Sequence, residues 1–365
     1  RRQDFVELSI LESAQGIAIR PKAEDMIADV SSDTVTLTRP GGLTLSAANI
    51  RPERAVSTVD PIFDDTEWRR NRASNFIVRR DELIQALGRA GASERNAARL
   101  ALARFYMAWE MYPEAKAVLD VGLADAKPGS EDSVAPVIHA VASSLIGRPA
   151  QGLKDLASPA IGANANLQLW KGLAYARQEK WAAAREAFKN AEFAMTTLPV
   201  ELQRVLLVDA MKASLEVKDN AGAAARSDDL ASIGVPAHLR PMVAVLRGRL
   251  AEALDQDKDA LAEYRRAAVS KDREAAAEGK LREVALRLRR KAISSKDAVS
   301  DLEALAMTWR GDGIEVRTLG MLTELYGEAD RYADALAAAK TATRLQPNAE
   351  SSRHAQDLAQ ALLVK

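Results

Sequence analysis

The spacing of hydrophobic residues changes period once along the chain. Near the start it alternates. Val6, Leu8 and Ile10 share one face with Glu7 and Ser9 on the other, Ile17 and Ile19 flank Ala18, and Val35-Thr36-Leu37-Thr38 repeats the alternation. Turn residues follow at Ser31-Ser32-Asp33 and Pro40-Gly41-Gly42, and Leu43-Thr44-Leu45 comes next. A period of two broken by turn signals predicts four or five short antiparallel strands over residues 4–46. A sheet of that size does not comfortably bury a core of its own. Residues 1–50 are therefore expected to form a small β segment that packs on the helices or belongs to a larger, truncated β domain.

Residues 51–95 read as a linker holding Pro52 and Pro61, then one long connecting helix. Asp64 and Asp65 supply its N-cap and first-turn negative charge, and it runs through Trp68, Phe76, Leu83 and Leu87 to Gly88. From residue 96 to 365 the apolar period is helical. Runs of about 12 to 18 residues alternate with short breaks rich in Gly, Asp, Asn or Pro.

These helices repeat. The clearest unit, 319–347, carries Leu319, Leu322 and Tyr326, a break at Ala329-Asp330-Arg331-Tyr332, then Ala335, Ala339, Ala342 and Pro347. Residues 168–199 carry Gly172, Tyr175, Trp181, Ala184, Phe188 and Ala191; 244–272 carry Gly248, Ala260, Tyr264 and Ala267; 97–128 carry Leu102, Ala103, Tyr106, Ala115, Leu119 and Pro128. Units at 132–158, 205–232 and 280–309 keep the rhythm with fewer signature residues. Aligned on the alanine that opens each second helix, the chain gives Ala115, Ala150, Ala184, Ala224, Ala260, Ala298 and Ala335, with steps of 35, 34, 40, 36, 38 and 37. The pattern resembles the tetratricopeptide repeat, departing from it at Thr323 and Ala339 in the clearest unit. The resemblance implies a mainly α fold, an α-solenoid of about seven helix–turn–helix units in which small residues let paired helices touch and each pair covers the next one's apolar face.

Composition agrees with packed helices and narrows the chemistry. Hydrophobic residues are 47% and charged ones 28% of 365, enough for a sizeable core under a soluble surface. Lys+Arg and Asp+Glu are both 51, so no general field draws nucleic acid or anionic lipid. Cysteine is absent, which excludes disulfides, thiolate metal sites and cysteine nucleophiles. The chain opens Arg1-Arg2-Gln3-Asp4 without Met, signal peptide or transmembrane run, and reads as a fragment or processed form. His139, His238 and His354 lie about 100 residues apart, and no phosphate loop or dinucleotide fingerprint follows a strand, so neither metal nor nucleotide cofactor is expected. Asp64-Asp65 and Asp228-Asp229 read as capping or solvated acids, and Gly311-Asp312-Gly313 as a helix linker. A lytic transglycosylase, some of which wrap a catalytic domain in a helical solenoid, would need a catalytic Glu in a separate compact α domain, and the repeats leave no room for one. The expected protein is not an enzyme.

What remains is binding. The repeat resemblance implies a concave groove lined by first-helix residues, here Arg104, Met107, Leu169, Leu173, Arg177, Arg249, Glu252, Glu283, Arg287, Lys291, Glu324 and Glu328. The Lys/Asn/Arg clamp by which some family members grip a C-terminal carboxylate is not reproduced. Residues 280–291 hold six basic residues in twelve, Lys280, Arg282, Arg287, Arg289, Arg290 and Lys291. They form either a docking patch or a solvated helix neutralised by Asp272, Glu274, Glu278 and Glu283, and the second reading is favoured. The expected function is a non-catalytic scaffold for one or more proteins or peptides, with a structural part in an envelope or motility assembly as the alternative. A β piece ahead of such repeats, together with Trp309-Arg310-Gly311-Asp312, resembles the C-terminal part of large bacterial cell-envelope proteins. That likeness implies a periplasmic or envelope location, the cytoplasm being the alternative.

Overall fold

The computed structural model describes residues 3–4, 8–11, 13, 18–21, 25–30, 34–40, 62–124, 133–161, 166–347 and 350–363. It divides into two units, Arg1–Pro61 and Ile62–Lys365. In the first, β1 (Gln3–Asp4), β2 (Leu8–Leu11) and β3 (Ala18–Pro21) form an antiparallel sheet in that order, with Leu8 opposite Pro21 and Leu11 opposite Ala18. A second, two-stranded sheet pairs β4 (Ile27–Val30) with β5 (Val35–Thr38). The expected alternation appears in β5, where Val35 and Leu37 are half-buried and Thr36 and Thr38 exposed. β4 has no alternation, all four of its residues are exposed, and the sequence did not single it out. The expected turn at 31–33 and the apolar run at 43–45 lie outside the described residues.

In the second unit Asp64 caps α1 (Asp65–Ala73), its carboxylate accepting from the Glu67 amide at 2.6 Å. The single long helix expected here is in fact two. The Ser74 hydroxyl bonds back to the Asn71 carbonyl at 2.7 Å, and the Asn75 side chain caps α2 (Phe76–Arg89) by accepting from the Val78 amide at 3.2 Å. Two polar side chains competing for backbone groups end one helix and start the next.

Seven helix pairs follow. They are α3 (Arg95–Ala108) with α4 (Tyr112–Ala124), α5 (Ala135–Leu145) with α6 (Pro149–Asp155), and α7 (Leu167–Ala176) with α8 (Trp181–Asn190). After the one-turn α9 (Glu192–Met195) come α10 (Val200–Glu216) with α11 (Asn220–Ile233), and α12 (Arg240–Ala253) with α13 (Asp257–Ala268). The last pairs are α14 (Arg273–Arg289) with α15 (Ser295–Thr308), and α16 (Gly313–Glu328) with α17 (Tyr332–Leu345). A closing helix, α18 (Glu350–Leu363), packs on α16 and α17.

The turns inside these seven pairs open on the same backbone, the one between α14 and α15 then running two residues longer. One residue in each is left-handed: Glu110, Gly147, Glu179, Lys218, Asp255, Lys291 and Asp330, with φ between 55° and 80°. In each, the following amide reaches the carbonyl five residues back, as in Met111 to Tyr106 at 2.9 Å and Arg331 to Tyr326 at 2.8 Å. The left-handed residue's own amide bonds three residues back, as in Glu179 to Ala176 at 3.0 Å. This double bond is the Schellman closure of a helix.

Measured from these turns, the fourth residue of each second helix is small and buried: Ala115, Gly152, Ala184, Ala223, Ala260, Ala298 and Ala335. Two of the aligned alanines are thereby corrected. Ala150 is exposed and gives its place to Gly152, where a Cβ would sit 2.8 Å from the Ala140 carbonyl oxygen. Ala224 yields to its fully buried neighbour Ala223. The small residue is needed because the first helix of the pair passes directly over it.

Candidate partner-binding groove

Successive first helices lie side by side: α3 touches α5, α5 touches α7, and so on through α10, α12, α14 and α16. Residues at equal distances before the left-handed turn residue therefore fall on one face. Lys212 and Arg249 stand six positions before their turn residue, Leu246 and Arg282 nine, and Met242, Glu278 and Arg317 thirteen. All seven line one pocket of about 310 Å³ running from α10 to α16. Trp181, Val245 and Ile314 complete its apolar floor. Recurrence of the lining positions identifies the pocket as a groove along the first-helix face rather than a local dent.

The charges in the groove are layered. Lys212 places its ammonium 5.1 Å over the Trp181 ring and, among the described residues, forms no ion pair. Arg249 bonds Glu216 at 2.9 Å, and Arg282 bonds Glu278 at 2.6 Å. Arg317 also grips Glu278, through one nitrogen at 3.1 Å and through a second contact. Burial alone would raise the Glu278 pKa, but Arg282 and Arg317 outweigh it and hold the carboxylate below its ordinary range. Burial, then the nearby Arg282 charge, lowers the Arg249 pKa against the pull of Glu216. Four cations and four carboxylates thus line the groove; Glu278 is the withdrawn carboxylate, while Glu179, Glu216 and Glu274 are exposed. An adjoining pocket of about 540 Å³ shares Arg249 and Arg282 and adds Arg289 and Arg290.

Of the residues expected in the groove, Arg249 lines it; others share only its repeat positions. Arg104, Arg177, Arg249, Glu324 and Glu328 occupy groove positions of the repeat, six or two residues before the turn. Arg177 is bonded to the buried Asp209 at 3.1 Å, and Glu324 and Glu328 are exposed. Met107, Leu169 and Leu173 are corrections: they are 0%, 0% and 1% exposed and belong to the hydrophobic core, although Leu173 stands six positions before its turn residue as Lys212 and Arg249 do. Glu252 is engaged by the Tyr264 hydroxyl and Arg289, both at 2.5 Å, and Glu283 by Arg265 at 2.9 Å with Arg287 at 3.6 Å. Lys291 is the left-handed residue of its turn.

The basic stripe at 280–291 is the neutralised helix that was favoured, not a free patch. Lys280 meets Asp301 at 3.1 Å and Arg290 meets Asp257 at 2.5 Å, so acids from neighbouring helices contribute beyond those adjacent in sequence. Lys212, Met242, Leu246, Arg282 and Arg317 were missed as groove residues, and counting back from the turns would have found them.

His139 stands apart from the groove chemistry. Buried on α5, it faces Asp155 of α6 with Nδ1 at 2.6 Å and Asp120 of α4 with Nε2 at 2.8 Å. Burial alone would lower its pKa, but the hydrogen bonds and charge of Asp155 and the bond to Asp120 raise it. His238 and His354 are exposed. Asp228 and Asp229 lie inside α11 rather than at a cap, Asp229 pairing with Arg226 at 3.3 Å, whereas Asp312 does cap α16. No helix of the described residues is long and apolar enough to cross a membrane.

No family model matches the sequence, and no curated protein matches it. Solved structures do resemble the fold. A tetratricopeptide repeat protein from Parabacteroides merdae aligns over 73% of this chain and 97% of its own at 9% identity, with a TM-score of 0.51. The Cut9–Hcn1 hetero-tetramer of the APC/C aligns over 78% and 58% at 10% identity, TM-score 0.47. The C-terminal part of a repeat protein from Cytophaga hutchinsonii aligns over 69% and 97% at 15% identity, TM-score 0.35. With seven helix pairs, the same helix closure at every turn and the Parabacteroides likeness together, the helical unit of this chain has the tetratricopeptide-repeat fold.

Proposed function

We propose that this protein is a non-catalytic scaffold whose groove between α10 and α16 holds a segment of a partner protein. The observation that carries this reading is the lining of the groove: an apolar floor of Trp181, Met242, Leu246 and Ile314 beneath Lys212, Arg249, Arg282 and Arg317. An apolar floor with a few oriented charges is the usual composition of a recognition site. Lys212, the lining cation that sits on Trp181 instead of in an ion pair, favours a segment that carries an acidic residue beside an apolar anchor.

Peptide-display selection against the whole chain tests this, with counter-selection on Met242→Glu and Lys212→Glu. Enriched peptides should combine acidic and apolar residues and bind Met242→Glu at least about tenfold more weakly, the loss expected when a central anchor is removed, and Lys212→Glu about fivefold more weakly. Failure to enrich any peptide, or binders indifferent to both substitutions, would overturn the reading.

A further inference from the structure

The first-helix face does not end at the open groove. It continues toward the N-terminal side of the stack, and there the chain itself lies across it. Ile62 and Phe63, just ahead of α1, are 6% and 3% exposed. Arg104 on α3 donates from Nε to the Ile62 carbonyl at 3.3 Å and places another guanidinium nitrogen 3.5 Å from Glu67. The Phe63 ring stands edge-on to Trp68 of α1, with centroids 6.0 Å apart, and to Trp170 of α7 at 5.4 Å.

Repeat register identifies this surface. Arg104 stands six positions before its turn residue, as do Lys212 and Arg249; Trp170 stands nine before, as do Leu246 and Arg282. The residues that hold Ile62 and Phe63 are thus the repeat equivalents of those lining the open groove. An arginine reading a backbone carbonyl while an aromatic side chain fills a pocket is a mode of peptide recognition, here across 42 residues from Ile62 to Arg104. The indole N–H groups of Trp68 and Trp170 are both buried and have no hydrogen-bond partner, although both rings pack on Phe63.

We infer that the face between α1 and α7 is a second recognition surface, specific for a bent segment with an aliphatic residue followed by an aromatic one. In this chain Ile62 and Phe63 occupy it. Being covalently attached, they act at a high effective concentration and shield the surface from a free peptide of the same sequence. This goes beyond the proposed function, which concerns only the open groove from α10 to α16.

The test uses the full chain and a fluorescent peptide of residues 57–64, Ser-Thr-Val-Asp-Pro-Ile-Phe-Asp. Anisotropy should show it binding the Ile62→Ala, Phe63→Ala chain at least about tenfold more tightly than the wild type, since the tethered competitor is gone. Adding Arg104→Glu should reverse that gain. Equal binding to wild type and variant, or no binding to a variant that still unfolds cooperatively, overturns the inference. If the double variant does not fold, Phe63→Leu replaces it, with the 5-fluorotryptophan resonance of Trp170 as readout. The peptide should shift that resonance further than in the wild type, and an unmoved resonance rejects the second surface. Trp170 reports on this surface and Met242→Glu on the open groove, so either reading can fail alone.

Discussion

A Cβ placed on Gly248 would stand 2.5 Å from Cε1 of Tyr264, whose ring is fully buried. The same relationship recurs two pairs earlier, where a Cβ on Gly172 would be 2.9 Å from Cδ1 of Phe188. In both pairs a first-helix glycine makes room for an aromatic ring of the second helix.

The first prediction follows from that contact. In an ordinary helix interior, Gly→Ala gains about 1 kcal/mol. At Gly248 the overpacking cost of about 1–3 kcal/mol outweighs this, so Gly248→Ala should lower the unfolding free energy. Gly88→Ala is the control, because nothing lies within 4 Å of a Cβ there, and it should be neutral or stabilising by up to about 1 kcal/mol. Urea unfolding of both variants decides the matter; a stabilised Gly248→Ala would show that the ring can move aside.

The turns give the second. Six of the seven left-handed turn residues are Glu, Lys or Asp, although glycine tolerates that conformation best. Lys218 is exposed at φ 61°, and Lys218→Gly should stabilise the chain by roughly 0.5–1 kcal/mol. Gly147→Ala should cost about the same in the opposite direction. Thermal melts of the two variants should move apart; melts moving the same way would contradict the shared turn geometry.

Those six residues also explain what the sequence concealed. The helix pairs were legible because burial enforces the apolar period and the small residue at the helix crossing, as at Ala115, Ala184, Ala260, Ala298 and Ala335. The turn that sets the register was not, because Glu110 or Lys291 carries no local sign of a left-handed backbone. Without that register, the groove positions drifted onto core residues such as Leu169 and past Lys212 and Arg282. The break at Asn75 was hidden for a related reason: the apolar period continues from α1 into α2, and only a side-chain cap divides them. Ion pairs between neighbouring helices, such as Arg317 with Glu278, span 39 residues and have no local signature.

His139 supplies the third prediction. Both ring nitrogens face carboxylates, so both must donate, and the imidazolium is the form that fits. Its folded pKa is raised above the ordinary value of 6.5. The resulting stabilisation is complete below about pH 6.5 and is lost as pH rises through the folded pKa. Melting temperature should therefore fall in the wild type as pH rises above about 6.5, and His139→Gln should flatten that decline. His139→Ala, which strips the largely buried Asp155 of its partner, should cost about 3 kcal/mol or more at pH 6. An unchanged pH profile in His139→Gln would assign the decline to other groups.

The last prediction separates binding from stability in the groove. Lys212 rests on Trp181 without a carboxylate partner, and Glu274 stands exposed on the same margin. Glu274 does not support the core, so Glu274→Gln should alter stability by no more than about 0.5–1 kcal/mol; Lys212 also lends its charge to the buried Asp209, so the stability of Lys212→Glu is measured beside its binding. For an acidic partner segment the two act in opposite directions. Lys212→Glu replaces attraction with repulsion, and Glu274→Gln removes repulsion. A margin charge changes affinity by about 1 kcal/mol, close to fivefold, mainly through the association rate. Peptides selected on the wild-type groove should bind Lys212→Glu more weakly and Glu274→Gln more tightly, and the two differences should shrink together as salt is raised. If the substitutions shift affinity in the same direction, or their effects survive high salt, the partner is held by its apolar anchor alone, and the ion pairs of Arg249, Arg282 and Arg317 serve only the packing of the first helices.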